Sequence, residues 1–421
     1  MKFLIFIIIF STNISLAQNH SDSTNSNIGL NDLIESALEN NSSLEPIEFQ
    51  KMAELTKTGQ VDKQPSPMFD FTVDMIPTNL DQSPRYTAMF SQMLKLPGKL
   101  EESGLVGDVK AIEQDLIKSQ IQIELIKQVK ENYFNLYLNE RIIEFNNEFQ
   151  SIVSNIIKTQ EISYAVGKGK QYQILKTNNE LQKLVLEQIE LEENKKIFIN
   201  NLSILSNSSL PENFKTRNIG LLRHIQPPQL DSIELIGQMK KYNPSFRLID
   251  VKLEENRIQK NIAEYEKTPD IIVKTGYRHV SETAGNFLMF GFGIDLSFMP
   301  WNTKRIDSKL DEKRIIEKKY NAVYKTTDQH LTNDIQNKIV QIKSTLEKIK
   351  YLEEILIPQT DQTFLSNFGS YESASEDFLN LLDSYRDLRN VNLMLVEMET
   401  MYFKKLSELE FIIGNQIFNL N

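Results

Sequence analysis

The segment that decides the fold is Asn286–Trp301, with the sequence NFLMFGFGIDLSFMPW. Its side chains alternate between two kinds, as they do in a β-strand whose faces meet different surroundings. One face carries only large apolar residues, namely Leu288, Phe290, Phe292, Ile294, Leu296 and Phe298. The other is small or polar apart from Met289 and Phe287. Over about ten residues, this pattern is typical of a membrane-spanning strand with one face toward lipid and the other toward a water-filled interior.

A β-sandwich strand can show the same alternation, so the other strands matter. Three further segments alternate in the same way, at 69–75, 85–96 and 270–278. They complete two predicted hairpins, residues 68–96 and 270–299. Each predicted strand has one polar and one apolar face, which favours the membrane interpretation.

The chain is predicted to consist of two similar halves, 29–207 and 230–414, joined by a linker at 208–229 and followed by a tail at 415–421. Each half begins with two short helices, continues into a hairpin and ends in a long helical hairpin, predicted at 100–205 and 302–413. Both strand hairpins end with an apolar residue, a proline and a helix start: Leu96-Pro97-Gly98-Lys99 and Met299-Pro300-Trp301-Asn302. Proline at such a junction ends sheet pairing and presets the first helical turn.

The long helices are predicted to pair as antiparallel coiled coils. Heptad spacing is clear in two sets, Ile142, Phe145, Phe149, Ile152 and Ile156, and Ile335, Ile339, Ile342, Leu346 and Ile349. A helix from 100 to 164 would be on the order of 90 Å long. The far turns are predicted at 164–170 and 371–375.

Composition excludes several classes of function. The chain has 421 residues and no cysteine, so it has no disulfide, thiolate metal site, cysteine nucleophile or lipidated N-terminal cysteine. A net charge of −10 without basic patches argues against a general nucleic-acid-binding role. Residues 1–17 are predicted to be a secretory signal peptide, because Lys2 precedes an apolar run that ends at small residues. The polar segment 18–28 is predicted to be disordered.

The tandem repeat, the two proline junctions, the turn YAVGKGKQYQILKTNNEL and the late segments DFLNLLDSYRDL and LSELEFIIGN resemble the TolC family of outer-membrane efflux channels. The resemblance extends from Leu30 to Gly414. It implies a mainly α fold with a β-barrel part: a long antiparallel coiled-coil tunnel, and four transmembrane strands per chain in a shared twelve-stranded barrel. It also implies a homotrimer in the Gram-negative outer membrane, with a long periplasmic portion.

The hydrogen bonds that edge strands need in a membrane also predict an oligomer, without any use of the family resemblance. Four strands cannot close around an interior, and open sheet edges are not tolerated in lipid, so several chains must share one barrel. Bacterial barrels begin at about eight strands, so two chains would reach the minimum and three would give a wider pore. We prefer three.

The resemblance implies a gate at the far turns of the long helices. Position by position, the gate tyrosine matches Tyr371 and its partner on the first repeat matches Gln173. One of two pore-facing aspartates matches Asp383, but the other is Asn380, and the tip arginine is replaced by Glu376. These departures leave Tyr371 and Asp383 as the stronger candidates. The alternative is that the acidic residues form a solvated helix face.

The resemblance also implies two turns that dock a periplasmic adaptor, a membrane fusion protein. They match Val166-Gly167-Lys168 and Ser373-Ala374-Ser375. The alternative for Gly167 is that it supplies only the positive φ at a helix end.

No catalytic, cofactor-binding or metal-binding residue is predicted. The four histidines, His20, His224, His279 and His330, lack ligand spacing. Methionines cluster around the strands at positions 68, 75, 89, 93, 289 and 299. They either line a path for soft metal ions or, as we prefer from the sequence, fill gaps or face lipid.

The favoured function is a passive exit duct that carries drugs or metal ions delivered by an inner-membrane pump of the resistance-nodulation-division type (RND). Neither a nucleotide-binding loop nor an intramembrane proton relay is present to supply energy, and no enzymatic activity is expected. One alternative is a type I secretion channel for polypeptides that works with an ABC exporter. Another is an exported coiled-coil scaffold.

Overall fold

The structure is a computed structural model that describes residues 28–74, 85–216, 229–280, 285–373 and 378–418. The predicted signal peptide, nearly all of the segment 18–28 and most of the linker 208–229 lie outside these residues. So do Met75, His20, His224 and the predicted site residues Ala374, Ser375 and Glu376.

The described elements follow the same order in both halves. In the first half they are α1 (Leu30–Asn40), α2 (Glu45–Val61), β1 (Met68–Asp74), β2 (Arg85–Leu94), α3 (Pro97–Ala165) and α4 (Gln171–Ser206). In the second they are α5 (Ser232–Tyr242), α6 (Pro244–Tyr265), β3 (Ile271–Val280), β4 (Gly285–Ile294), α7 (Pro300–Tyr351), α8 (Ile357–Glu372) and α9 (Phe378–Ile413). With 69 residues, α3 is about 100 Å long. Within the described ranges, none of the helices carries an apolar run long enough for a bilayer crossing.

The strands form one antiparallel sheet in the order β1-β2-β3-β4, so β1 and β4 are its two edges. Phe90 pairs with Phe69 on one side and with Thr275 on the other, and Thr275 pairs with Phe290. The predicted apolar face therefore continues across all four strands. Its side chains are open to the surroundings, with Phe290 77% and Phe292 82% exposed.

β4 ends at Ile294, although the alternation of side chains continues to Phe298. Asp295 N still donates to Asp270 O at 3.0 Å, and then Met299 N donates to Leu296 O, which turns the chain toward α7. Ser297 is buried in this turn. Alternation alone does not reveal the end of a strand, because a turn can continue it for a few residues.

Two large apolar clusters hold most of the helices together, and a third, small one joins α6 to α7 through Ala263, Ile306 and Leu310. The larger of the two joins both halves near the middle of the molecule, through residues such as Phe134, Leu202 and Phe403. The smaller of the two lies toward the far turns and includes Ile156, Phe364 and Leu381. Ile335, Ile339 and Ile342 from the predicted heptads are buried, as are Phe149 and Ile156.

Gly107 looks like a helix break in the sequence, yet α3 passes through it without interruption. A Cβ at this position would lie 2.1 Å from Thr58 Oγ1 and 3.0 Å from the carbonyl oxygen of Glu54 on α2. The glycine therefore permits the close approach of α2 to α3.

The second long helix is not continuous. A π-helical turn at Leu352–Leu356 separates α7 from α8, and Pro358 follows within the first turn of α8. Proline has no backbone N–H and its ring conflicts with the carbonyl four residues earlier, here that of Glu354. A wider turn beside the proline relieves that conflict.

Candidate functional site

The inner face of the sheet lies opposite the row formed by Phe69, Phe90 and Phe290. It is mainly polar or small as predicted, with methionines, Ile272 and Phe287 among these side chains. One row across it consists of Asp70, Met89, Gly276 and Met289, which pair in that order. The next row toward the helices contains Met68, Ser91, Lys274 and Gly291. Such a face can line a water-filled interior but cannot face hydrocarbon without cost.

The end of the inner face farthest from the helices carries paired charges. Arg85 Nε lies 3.7 Å from Asp74 Oδ1 across the β1–β2 ladder. Arg278 Nε donates to Thr87 Oγ1 at 3.3 Å, and Thr87 is itself buried. These contacts hold charged side chains on the same face as the methionines.

The register decides only part of the methionine interpretation: four of them do not lie on the apolar face expected to meet lipid, and gap-filling stays a prediction. Residue pairing and alternation place Met68, Met89, Met93 and Met289 on the inner face, opposite the apolar face. None of these four is buried in a core, since Met68 is 61% exposed and the other three are half-buried. Sequence alone could not decide this, because the assignment requires the pairing register.

The first strand-to-helix junction connects the two halves of the chain. Pro97 begins α3, and Lys99 Nζ lies 2.8 Å from Asp270 Oδ1, just before β3. Gly98 lies beneath Tyr265 of α6, where a Cβ would be 2.6 Å from the Tyr265 hydroxyl. Lys99 and Gly98 thereby fix the root of one hairpin against the root of the other.

At the second junction, Pro300 begins α7 as predicted. Trp301 follows and is 73% exposed, a high value for a large aromatic side chain. An aromatic ring at the end of a membrane strand is suited to the headgroup region.

The first predicted docking turn is an exposed helix end. Gly167 has φ +76°, and the N–H groups of Lys168 and Gly169 both donate to Ser163 O at 2.9 Å. Val166 is 65% exposed beside it. In the second predicted turn, Ser373 is exposed, and its hydroxyl donates to Ser370 O at 3.0 Å. The docking roles remain predictions.

The predicted gate residues lie around the smaller apolar cluster. Tyr371 packs against it, with its ring centroid 6.4 Å from that of Phe378. Gln173 Oε1 accepts a hydrogen bond from Lys170 N at 3.3 Å and so caps the start of α4. Asn380 and Asp383 are exposed on α9. The pairing of Gln173 with Tyr371 remains a prediction.

Sequence reasoning missed two ion pairs that connect α4 to α9. Arg386 Nη2 donates to Glu180 Oε1 at 2.6 Å. Arg389 pairs with Glu187, which lies about two turns farther from the tip along α4, while Arg389 lies about one turn farther along α9. Burial raises the pKa of Glu180, but the bonds from Arg386 and Lys183 outweigh it, so that the pKa is lowered overall. The sequence offered one signal for these pairs, the spacing of their members. Glu180 and Glu187 are seven residues apart and Arg386 and Arg389 are three apart, and each spacing places both residues on one helix face.

Tyr385 directly precedes Arg386 on α9 and is almost fully buried. Burial raises its pKa to about 12, and its hydroxyl has no hydrogen-bond partner among the described residues. A buried hydroxyl without a partner is energetically costly, so its neighbourhood is a weak point in the packing.

The fold is that of known outer-membrane channels. The outer-membrane channel OprN superposes with a TM-score of 0.77 at 16% identity, covering 92% of this chain and 90% of that one. CusC, described for transmembrane channel formation, gives 0.77 at 15% identity and 93% coverage of both chains. The CmeC outer-membrane channel of Campylobacter jejuni gives 0.73 at 14% identity, covering 97% and 94%.

No protein-family model and no curated protein matches the chain. At these sequence identities the solved structures establish the fold. They confirm the predicted TolC-like architecture for the single chain.

Proposed function

We propose that three copies of this chain form a passive duct in the Gram-negative outer membrane, through which an inner-membrane RND pump and a periplasmic adaptor expel solutes. The fold shared with OprN, CusC and CmeC supports a channel in the outer membrane. The trimer, the pump and the adaptor belong to the proposal.

The proposal rests mainly on two properties of the sheet, its exposed apolar face and its two edge strands. Its apolar face is exposed along all four strands, and among the described residues neither β1 nor β4 has a neighbouring strand on its outer side. Lipid can cover the apolar face, but only another strand can satisfy the edge N–H and C=O groups in hydrocarbon. Joining β1 of one copy to β4 of the next satisfies both edges, and three copies give a twelve-stranded wall.

The helices supply the second part of the duct. With a length of about 100 Å, α3 extends far beyond the thickness of one bilayer. Three pairs of helical hairpins around a common axis would continue the barrel as a tunnel. The far turns, with exposed Val166 and Lys168, are then the parts closest to the inner membrane and available to an adaptor.

The test is the behaviour of the purified full chain in detergent. We expect a protein mass of three chains by light scattering and discrete conductance steps in planar bilayers. A monomer that stays soluble without detergent and gives no conductance would overturn the proposal in favour of a scaffold. Co-purification with an ABC exporter in place of an RND pump would identify the type I secretion alternative.

A further inference from the structure

We propose that the inner face of the sheet contains a binding site for a soft monovalent cation, Cu(I) or Ag(I), formed by the thioethers of Met89 and Met289. The inference rests on the proposed function, because it takes the inner face to be the wall of a water-filled duct. It adds a ligand class to that wall.

A glycine lies between the two methionines and leaves the space between them open. Met89 on β2 and Met289 on β4 pair with opposite sides of Gly276 on β3. A Cβ on Gly276 would lie 3.4 Å from Met289 Cε and 3.3 Å from Met89 Cα. The Met289 side chain therefore extends over the middle strand toward Met89, through space that any larger residue would fill.

Two further methionines continue the same surface toward the helices. Met68 pairs with Ser91, which places it diagonal to both Met89 and Met93 on the inner face. Diagonal neighbours in an antiparallel pair are roughly 7–8 Å apart, within reach of long flexible side chains. The register thus places Met289, Met89, Met68 and Met93 in neighbouring positions on the inner face.

The apolar clusters of the described residues include none of these side chains. Met89, Met93 and Met289 are half-buried and Met68 is exposed. They lie on the side that carries Asp70, Thr72, Ser91 and Lys274, together with Phe287, and not on the side that carries Phe69, Phe90 and Phe290. Apolar groups on a wetted wall cost free energy, so a ligand that only thioethers hold well accounts for their presence.

Ligand chemistry selects the cation. Thioether sulfur is a soft, neutral ligand that prefers Cu(I) and related ions, whereas Mg²⁺ and Ca²⁺ require several oxygen ligands. Asp70 is the carboxylate in the methionine row, and Lys274 lies in the adjacent row. One positive charge nearby opposes a divalent ion more strongly than a monovalent one.

The test uses Ag⁺ as a probe, because it has the coordination preferences of Cu(I) without its redox chemistry. Isothermal titration calorimetry in nitrate buffer would compare the wild-type trimer with the Met89→Leu, Met289→Leu double variant. Leucine nearly conserves side-chain volume, so the fold should persist. We expect at least a tenfold loss of Ag⁺ affinity. The control is Met52→Leu with Met394→Leu, two exposed methionines on α2 and α9, which should bind Ag⁺ as the wild type does.

Equal Ag⁺ affinity in the wild type and the double variant would overturn the site. If the double variant does not assemble, the single variants Met89→Leu and Met289→Leu serve instead, and each must weaken binding. Conductance separates this inference from the proposed function. Open channels whose Ag⁺ binding is independent of these methionines would reject the site and keep the duct. Methionine-dependent binding without conductance would reject the duct and keep the site.

Discussion

Arg386 Nη2 on α9 lies 2.6 Å from Glu180 Oε1 on α4, and this contact joins the return helices of the two repeats near their far turns. The Glu180 side chain is 15% exposed and that of Arg386 is 40% exposed. At that exposure the pair contributes about 1 kcal/mol or less. It nevertheless connects two helices that otherwise pack mainly against other partners.

Because of the Glu180–Arg386 pair, we expect the ends of α4 and α9 near the far turns, here called the tip, to become less stable in acid. The pKa of Glu180 in the folded chain is below its ordinary value of 4.5, so the stabilisation is fully present above about pH 4.5 and is lost as pH falls through the lowered pKa. Hydrogen exchange should show α4 and α9 losing protection near the tip in that window. The variant Arg386→Gln should lose this protection at neutral pH.

The matched control for that experiment is Arg257→Gln, which removes an exposed pair with Glu254 within one helix. It should leave exchange at the tip unchanged. If Arg386→Gln and Arg257→Gln behave alike, the connection between α4 and α9 has no role in holding the tip.

The predicted gate gives a second test. Tyr371→Phe combined with Asp383→Ala should raise the resting conductance of the reconstituted channel several-fold, because one tip loses a hydroxyl and a charge while the ring packing against Phe378 is kept. The control combines Tyr351→Phe with Asp361→Ala, both exposed positions farther from the tip. A resting conductance equal to that of the wild type would remove Tyr371 and Asp383 from the gate.

A third prediction concerns the packing of α2 on α3. Gly107→Ala places a methyl group 2.1 Å from Thr58 Oγ1 and 3.0 Å from a backbone oxygen, so thermal unfolding should show a loss of about 1–3 kcal/mol. Gly237→Ala on α5 is the matched control, because a Cβ added at Gly237 would have no atom of another residue within 4 Å. The control should gain up to about 1 kcal/mol from helix propensity. Two variants of equal stability would contradict the proposed close approach.

The buried ion pair Lys130–Glu410 gives a fourth prediction. Lys130 Nζ lies 2.5 Å from Glu410 Oε2, and Glu410 Oε1 accepts the backbone N–H groups of Ile417 and Phe418. Lys130→Ala leaves a buried carboxylate without its partner and should cost about 3–5 kcal/mol in unfolding experiments. Lys118→Ala, which removes a half-exposed pair with Glu48, should cost much less, because solvent screens that pair. Comparable losses would show that burial is not the deciding factor.

A fifth prediction tests which face meets lipid. Phe292→Arg puts a charge on the apolar face. In vesicle refolding experiments it should lower the free energy of unfolding of the inserted protein by about 2–4 kcal/mol. Ser91→Arg puts the same side chain on the inner face and should refold as the wild type does. If Ser91→Arg is the more damaging substitution, the two faces are assigned the wrong way round.

Local patterns in the sequence predicted the elements well. A period of two identified all four strands and their apolar face, and heptads such as Ile335, Ile339 and Ile342 identified the helical core. Proline identified the starts of α3 and α7. These features depend on neighbours along the chain, which a sequence displays directly.

What sequence could not supply depends on contacts between distant segments. The reason for Gly107 lies in Thr58, and the position of the four methionines depends on a register that links both halves. The π-helical turn beside Pro358 and the contacts of Arg386 and Arg389 with α4 are likewise consequences of packing. Site residues at the tips are therefore less predictable than the elements that carry them.

Among the described residues, β1 and β4 are the two edges of the sheet, and in the proposed shared barrel they also determine how the protein enters a membrane. In that proposal a single copy has no stable inserted state, so insertion and subunit association are coupled in time. The rate of insertion should therefore depend on the concentration of uninserted chains with an order greater than one. When few chains are present, the apolar strands would remain outside the bilayer. A periplasmic chaperone would then be needed to prevent their aggregation.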